Sequence, residues 1–85
     1  MQKSLSIILA NTNRSKFYFN ELKKNKFFLE NIIFYSTKKN LEFLKILKKY
    51  PYKNDLQIIK SNDVNNKIIE TEILKIKSKY ILFSG

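Results

Sequence analysis

The stretch Leu5-Ser6-Ile7-Ile8-Leu9-Ala10-Asn11-Thr12-Asn13-Arg14-Ser15 decides the fold. Its first six residues are apolar except for Ser6 and show no alternation, as in a strand covered on both faces. Asn11-Thr12-Asn13 then breaks the run, and the hydrophobic period changes. Phe17, Tyr18, Phe19 and Leu22 recur at helical spacing within a segment from Arg14 to Lys26. Asn13 or Ser15 is positioned to cap that helix, because a side-chain oxygen there accepts from an orphan backbone N–H. Lys23, Lys24 and Lys26 fall in its last turn, where cations suit the helix dipole.

Working outward, the same alternation of strand and helix recurs. Asn31-Ile32-Ile33-Phe34-Tyr35-Ser36 reads as a second buried strand. Leu41, Leu44 and Leu47, with Phe43 and Ile46, form a helical stripe from about 39 to 50, and Pro51 ends it. Leu56-Gln57-Ile58-Ile59 reads as a short third strand. Ser61 or Asn62 then caps a long helix over 63–77, carried by Val64, Ile68, Ile69, Ile73 and Ile76. Residues 79–83 make a fourth strand. The order β-α-β-α-β-α-β predicts an α/β, Rossmann-like arrangement with a four-stranded parallel sheet. A ferredoxin-like βαββαβ is the alternative if the helix over 39–50 is absent. The chain halts two residues after the fourth strand, which reads as an incomplete domain ending at the rim of its cleft.

Composition closes off much of the chemistry. The 85 residues contain no histidine and no cysteine, and the single glycine is Gly85. Within this chain that excludes a Cys/His zinc site, a cysteine nucleophile, a disulfide framework and a glycine-rich phosphate loop. No apolar run is long enough to span a bilayer and no signal-peptide pattern opens the chain, so the expectation is a cytoplasmic protein without a membrane partner. Seventeen basic residues against seven acidic ones give +10. Sixteen of the seventeen are lysines, however, and the chain is also rich in isoleucine and asparagine, with 12 and 10 residues. That is the mark of A/T-rich codons, which raise lysine without any demand for nucleic-acid binding. A selected phosphate surface tends to keep arginine, and here Arg14 is alone.

The segments Ile7–Ser15, Tyr18, Leu22 and Asn31-Ile32-Ile33 together resemble the opening strand, loop, helix and second strand of the formyltransferase family. Ser61-Asn62-Asp63-Val64-Asn65 and Tyr80-Ile81-Leu82-Phe83-Ser84-Gly85 are similar to the family's third-helix start and fourth strand. The resemblance implies that residues 1–85 are the N-terminal segment of a formyltransferase-like domain. It further implies formyl transfer from 10-formyltetrahydrofolate to an amine, on an amino sugar or an aminoacyl-tRNA. The family's catalytic asparagine, histidine and aspartate lie beyond its fourth strand, so none maps onto this chain, which is expected to be inactive alone.

Candidate ligand contacts follow from position. Asn11, Asn13, Arg14 and Ser15 lie where the first strand hands over to a helix N-terminus, with backbone donors and one cation. Ser84 and Gly85 end the fourth strand. No residue is assigned a catalytic or metal-binding role, since Glu70 and Glu72 are two apart on a helix and do not share a face. Two other readings stand beside the first. One is a small basic nucleic-acid-binding domain, using Tyr50-Pro51-Tyr52 among Lys48, Lys49 and Lys53. The other is an interaction domain that pairs an open sheet edge with a partner.

Overall fold

A computed structural model describes residues 5–38, 41–63 and 65–84. The elements run β1 (Leu5–Ala10), α1 (Asn13–Lys24), β2 (Leu29–Tyr35), α2 (Glu42–Lys49), β3 (Lys53–Ile59), α3 (Lys67–Leu74) and β4 (Tyr80–Ser84). All pairings are parallel and the strand order is β3-β2-β1-β4. The expected α/β, Rossmann-like four-stranded parallel sheet is therefore present. With α2 formed and no antiparallel pair in this sheet, the ferredoxin-like alternative is set aside.

Side-chain parity divides the core in two. Leu5, Ile7 and Leu9 of β1, with Ile32 and Phe34 of β2, face Phe19 and Leu22 of α1 and Phe43 and Leu47 of α2. Ile8, Ala10, Ile33 and Tyr35 face the other way, with Ile59 and with Ile69 of α3. The topology explains the split. Two right-handed crossovers in one direction put α1 and α2 on one face, and the return from β3 to β4 carries α3 across the other. β1 is buried along its whole length because both faces and both edges are covered. Aromatic edges lock the α1/α2 face. Phe19 meets Tyr50 at 5.2 Å and 76°, and Phe43 meets Phe34 at 5.4 Å and 81°, geometries that favour ring edges against ring faces. Phe17, Tyr18 and Phe27, by contrast, are exposed.

Several boundaries differ from those the sequence suggests. β2 begins at Leu29 and β3 at Lys53, because the two strands pair with each other from Leu29↔Lys53 onward. Polar Asn54 and Asp55 enter a strand only because β3 is an edge with solvent beside it. The third and fourth strands are only partly buried, since both form borders of the described sheet. Helix α3 is much shorter than 63–77. Asp63 N–H donates to Ser61 Oγ at 3.0 Å and Asn65 N–H to Asp63 Oδ1 at 2.9 Å. These local turns satisfy the backbone in place of helix, and the helix starts only at Asn66, whose Oδ1 accepts from Ile68 N–H at 2.8 Å. Val64 lies outside the described residues.

A directed polar chain fixes the other end of the sheet. Asn31 Nδ2 donates to Ser6 Oγ at 3.3 Å, Ser6 Oγ pairs with Ser78 Oγ, and Ser78 Oγ donates to Glu30 Oε2 at 3.0 Å. Ser78 spends its one proton on the carboxylate, so Ser6 must donate to Ser78. Ser6 is the polar residue in the buried β1, and this chain satisfies it.

Helix α1 ends in a left-handed turn. Lys26 has φ 54°, its N–H donates to the Lys23 carbonyl at 3.1 Å and Phe27 N–H to the Leu22 carbonyl at 3.2 Å. This paired closure usually falls to glycine, because a Cβ crowds the carbonyl in that conformation. Lys26→Gly is accordingly expected to raise stability by about 0.5–1 kcal/mol. The check is a higher urea midpoint with an unchanged slope.

Candidate functional site

The carboxyl ends of the strands are where an open parallel sheet offers a crevice, chiefly where the connections on either side of one strand pair leave in opposite directions. In this order that pair is β1 and β4. Two of the candidate residues, Ser15 and Ser84, meet beside it. The cap of α1 is Thr12, not Asn13 or Ser15. Thr12 is extended (φ −131°, ψ 161°), and its Oγ1 accepts from Ser15 N–H at 3.1 Å. The chain has already turned helical at Asn13, which puts the accepting oxygen one residue earlier than the sequence suggests.

Ser15 is fully buried. Its hydroxyl donates to the Ser84 carbonyl at 2.8 Å and accepts from Ala10 N–H at 3.3 Å, with Ser84 Oγ 3.2 Å away. Residues 69 apart in sequence are thereby joined. Ser15 and Ser84 are brought together, and their polar capacity is taken up by each other and by β1. Asn13 and Arg14 point to solvent at the start of α1, and Asn11 is half-buried. Gly85 lies outside the described residues.

Beside this joint lies a small hollow of about 140 Å³, lined by Ala10, Asn11, Thr12, Tyr35, Ser36 and Lys38, with Asn62 closing it. Its rim is tied by Thr37 Oγ1 donating to Asn62 Oδ1 at 3.1 Å and by Lys38 N–H donating to Ser36 Oγ at 3.1 Å. Tyr35 was legible only as a strand residue, yet it lines the hollow. Burial raises its phenol above the ordinary value, and the Asp63 carboxylate adds to that. The residues present are hydrogen-bonding and dipolar: they can orient a small polar group, but they include no nucleophile–base pair. No cluster of three metal-ligating side chains occurs among the described residues.

The basic–aromatic corner has a structural use. Tyr50 is buried, and its hydroxyl donates to the Phe27 carbonyl. Lys53 Nζ donates to the carbonyls of Lys48 at 2.8 Å and Tyr50 at 2.7 Å, placing its charge on the negative end of α2. Of this corner, only Tyr52 offers an exposed ring, and it leans edge-on against Tyr50 at 5.7 Å. No helix of the described residues is long and apolar enough to cross a membrane. No family model, curated protein or solved structure matches the chain.

Ser15→Ala would strand a buried carbonyl and a buried N–H, and a loss of about 1–3 kcal/mol is expected on denaturant unfolding. Thr12→Ala, which removes one cap acceptor, should cost about 1 kcal/mol. The raised phenols of Tyr35 and Tyr50, the latter shifted by burial and then by Tyr52, give a pH signature. Each favours the neutral form in the folded chain, so their stabilisation holds below pH 10 and is lost as the pH climbs through the native values. Ultraviolet titration should show two late-ionising tyrosines, and Tyr35→Phe should remove one of them.

Proposed function

We propose that this chain is the N-terminal α/β segment of a formyltransferase-like protein, whose parent reaction moves a formyl group from 10-formyltetrahydrofolate to an amine on a sugar or an aminoacyl-tRNA. The observation that supports the reading is the juxtaposition at Ser15 and Ser84. The two stretches that carry the resemblance, Ile7–Ser15 and the fourth strand, end side by side at the mouth of a parallel sheet. In this reading Asn11, Asn13 and Arg14 contact ligand, with the α1 dipole and the one arginine suited to an anionic group. Ser15 and Ser84 hold the two lips together.

The formyl donor itself does not fit the hollow at the candidate site. The hollow at Asn11 is about 140 Å³, well below the roughly 300–1,000 Å³ of sites that enclose a ligand of that size. The chain also contains no histidine. In this reading the segment supplies scaffold and one lip, and removal of the proton from the amine that attacks the formyl carbon belongs to residues outside it. A cytoplasmic setting, where the donor is made, accompanies the proposal.

Two measurements decide it. The coding sequence beyond codon 85 should encode a downstream asparagine, histidine and aspartate in the same frame, and a frame without them overturns the family reading. The isolated chain should transfer no formyl group from 10-formyltetrahydrofolate to an amino-sugar nucleotide. Turnover by the chain alone would overturn the division of labour.

A further inference from the structure

The end of β2 buries two hydroxyls that the chain does not fully use. Tyr35 is the last residue of the strand and Ser36 follows it, and they are 8% and 7% exposed. A phenol buried that far normally donates to a neighbouring oxygen, because an unpaired polar group there is costly. The Tyr35 hydroxyl has no hydrogen-bond partner among the described residues. Burial and the Asp63 carboxylate favour its protonated form, so it is a donor without an acceptor. Ser36 Oγ accepts from Lys38 N–H at 3.1 Å, and its own proton goes to no described group.

Both residues line the hollow of about 140 Å³, and the other polar groups around it are left in the same state. Asn62 Oδ1 is occupied by the Thr37 hydroxyl at 3.1 Å, and Thr12 Oγ1 by Ser15 N–H at 3.1 Å. The Asn62 amide and the Thr12 hydroxyl each still have a proton to give. Lys38 is the one cation among the described residues of the lining, and no acidic side chain lines it. Asp63, next to Asn62, spends Oδ1 on Asn65 N–H at 2.9 Å. Internal bonds thus consume acceptors and leave donors, contributed by the turns after β1, β2 and β3, around one space. We infer that this hollow binds a small oxyanion, a carboxylate or a phosphoryl group, held by Tyr35, Ser36, Asn62 and Lys38 at the carboxyl ends of β2 and β3. Charge-assisted hydrogen bonds to that one group satisfy donors the chain leaves unpaired. The site is separate from the exposed Asn13 and Arg14 at the start of α1. It stands or falls without the formyl-transfer reading, since it names no reaction.

The test is an amide NMR titration of the full chain with acetate and, separately, with inorganic phosphate, each compared with sodium chloride at the same ionic strength. At least one of the two should give saturable shifts at Tyr35, Ser36, Lys38 and Asn62 where chloride gives none. The tighter ion tells whether the group is a carboxylate or a phosphoryl. Tyr35→Phe keeps the ring and should weaken that ion at least about tenfold, the effect of losing one hydrogen bond to a charged group. Lys38→Gln should weaken it by a similar factor. If Tyr35→Phe disturbs the fold, Lys38→Gln and Asn62→Ala, both at exposed positions, carry the test. Shifts confined to Asn13–Ser15 would place the ion on the start of α1, and unsaturable shifts spread over the lysines would be screening of a +10 chain. Either result overturns the inference, as does undiminished affinity in a folded Tyr35→Phe.

Discussion

One hydroxyl proton, on Ser15, connects the first helix to the last strand. It runs to the Ser84 carbonyl at 2.8 Å while the same oxygen accepts from Ala10 N–H, so three elements converge on one atom. β4 reaches β1 only by crossing back over the whole α3 face, and nothing local in sequence holds its far end in place. The pairing Leu9↔Ser84 fixes its register there, and the buried serine makes a slip expensive, since any shift leaves polar groups dry and unpaired. At the opposite end the Asn31–Ser6–Ser78–Glu30 chain does the same for the entry to β4. Between these two polar anchors the strand contributes Ile81 and Leu82 to the two cores.

This arrangement separates shape from chemistry. The apolar parity of β1 and β2 determines which helix lies on which face, and that in turn sets the start of α1 beside the end of β4. The polar residues placed there, Asn11 to Arg14, inherit their position from packing below them. The exposed polar lip thus rests on residues buried beneath it, and its own side chains are not held by that packing. The lysine surplus takes part in the same logic. Lys53 closes α2 with its ammonium on the terminal carbonyls, and Lys26 closes α1 through its backbone at a left-handed position that glycine usually takes.

Much of the fold was legible because β1 and the α1/α2 face announce themselves by period alone. The limits of β1 coincide with its apolar run, and Phe19, Leu22, Phe43 and Leu47 all fall on the stripes their spacing implied. Where reading failed, a partner distant in sequence or a competing local bond was responsible. Lys53-Asn54-Asp55 resembles a loop and becomes strand only because β2 offers hydrogen bonds alongside it. Asp63 resembles a helix start, but the side chains of Ser61, Asp63 and Asn66 capture the local backbone first. At the candidate site the polar loop was found, but the identity of the cap was misplaced by a residue. That Ser15 spends its hydroxyl on Ser84 was invisible, because no local pattern encodes a contact across the chain.

The position of β1 has a consequence for how the molecule is made. It is the second strand from one border, yet its two neighbours are far apart in the order of synthesis: β2 follows within one helix, and β4 comes after every other element described. While the ribosome is still adding α3, β1, β2 and β3 can assemble with α1 and α2 on one side, leaving Ile8, Ala10 and Ile33 bare on the other. During that interval β1 has one open edge and one naked face, the kind of surface that recruits chaperones or neighbouring nascent chains. Strand β4 therefore acts as a seal as well as a border, and how quickly it follows α3 decides how long the half-built sheet stays exposed.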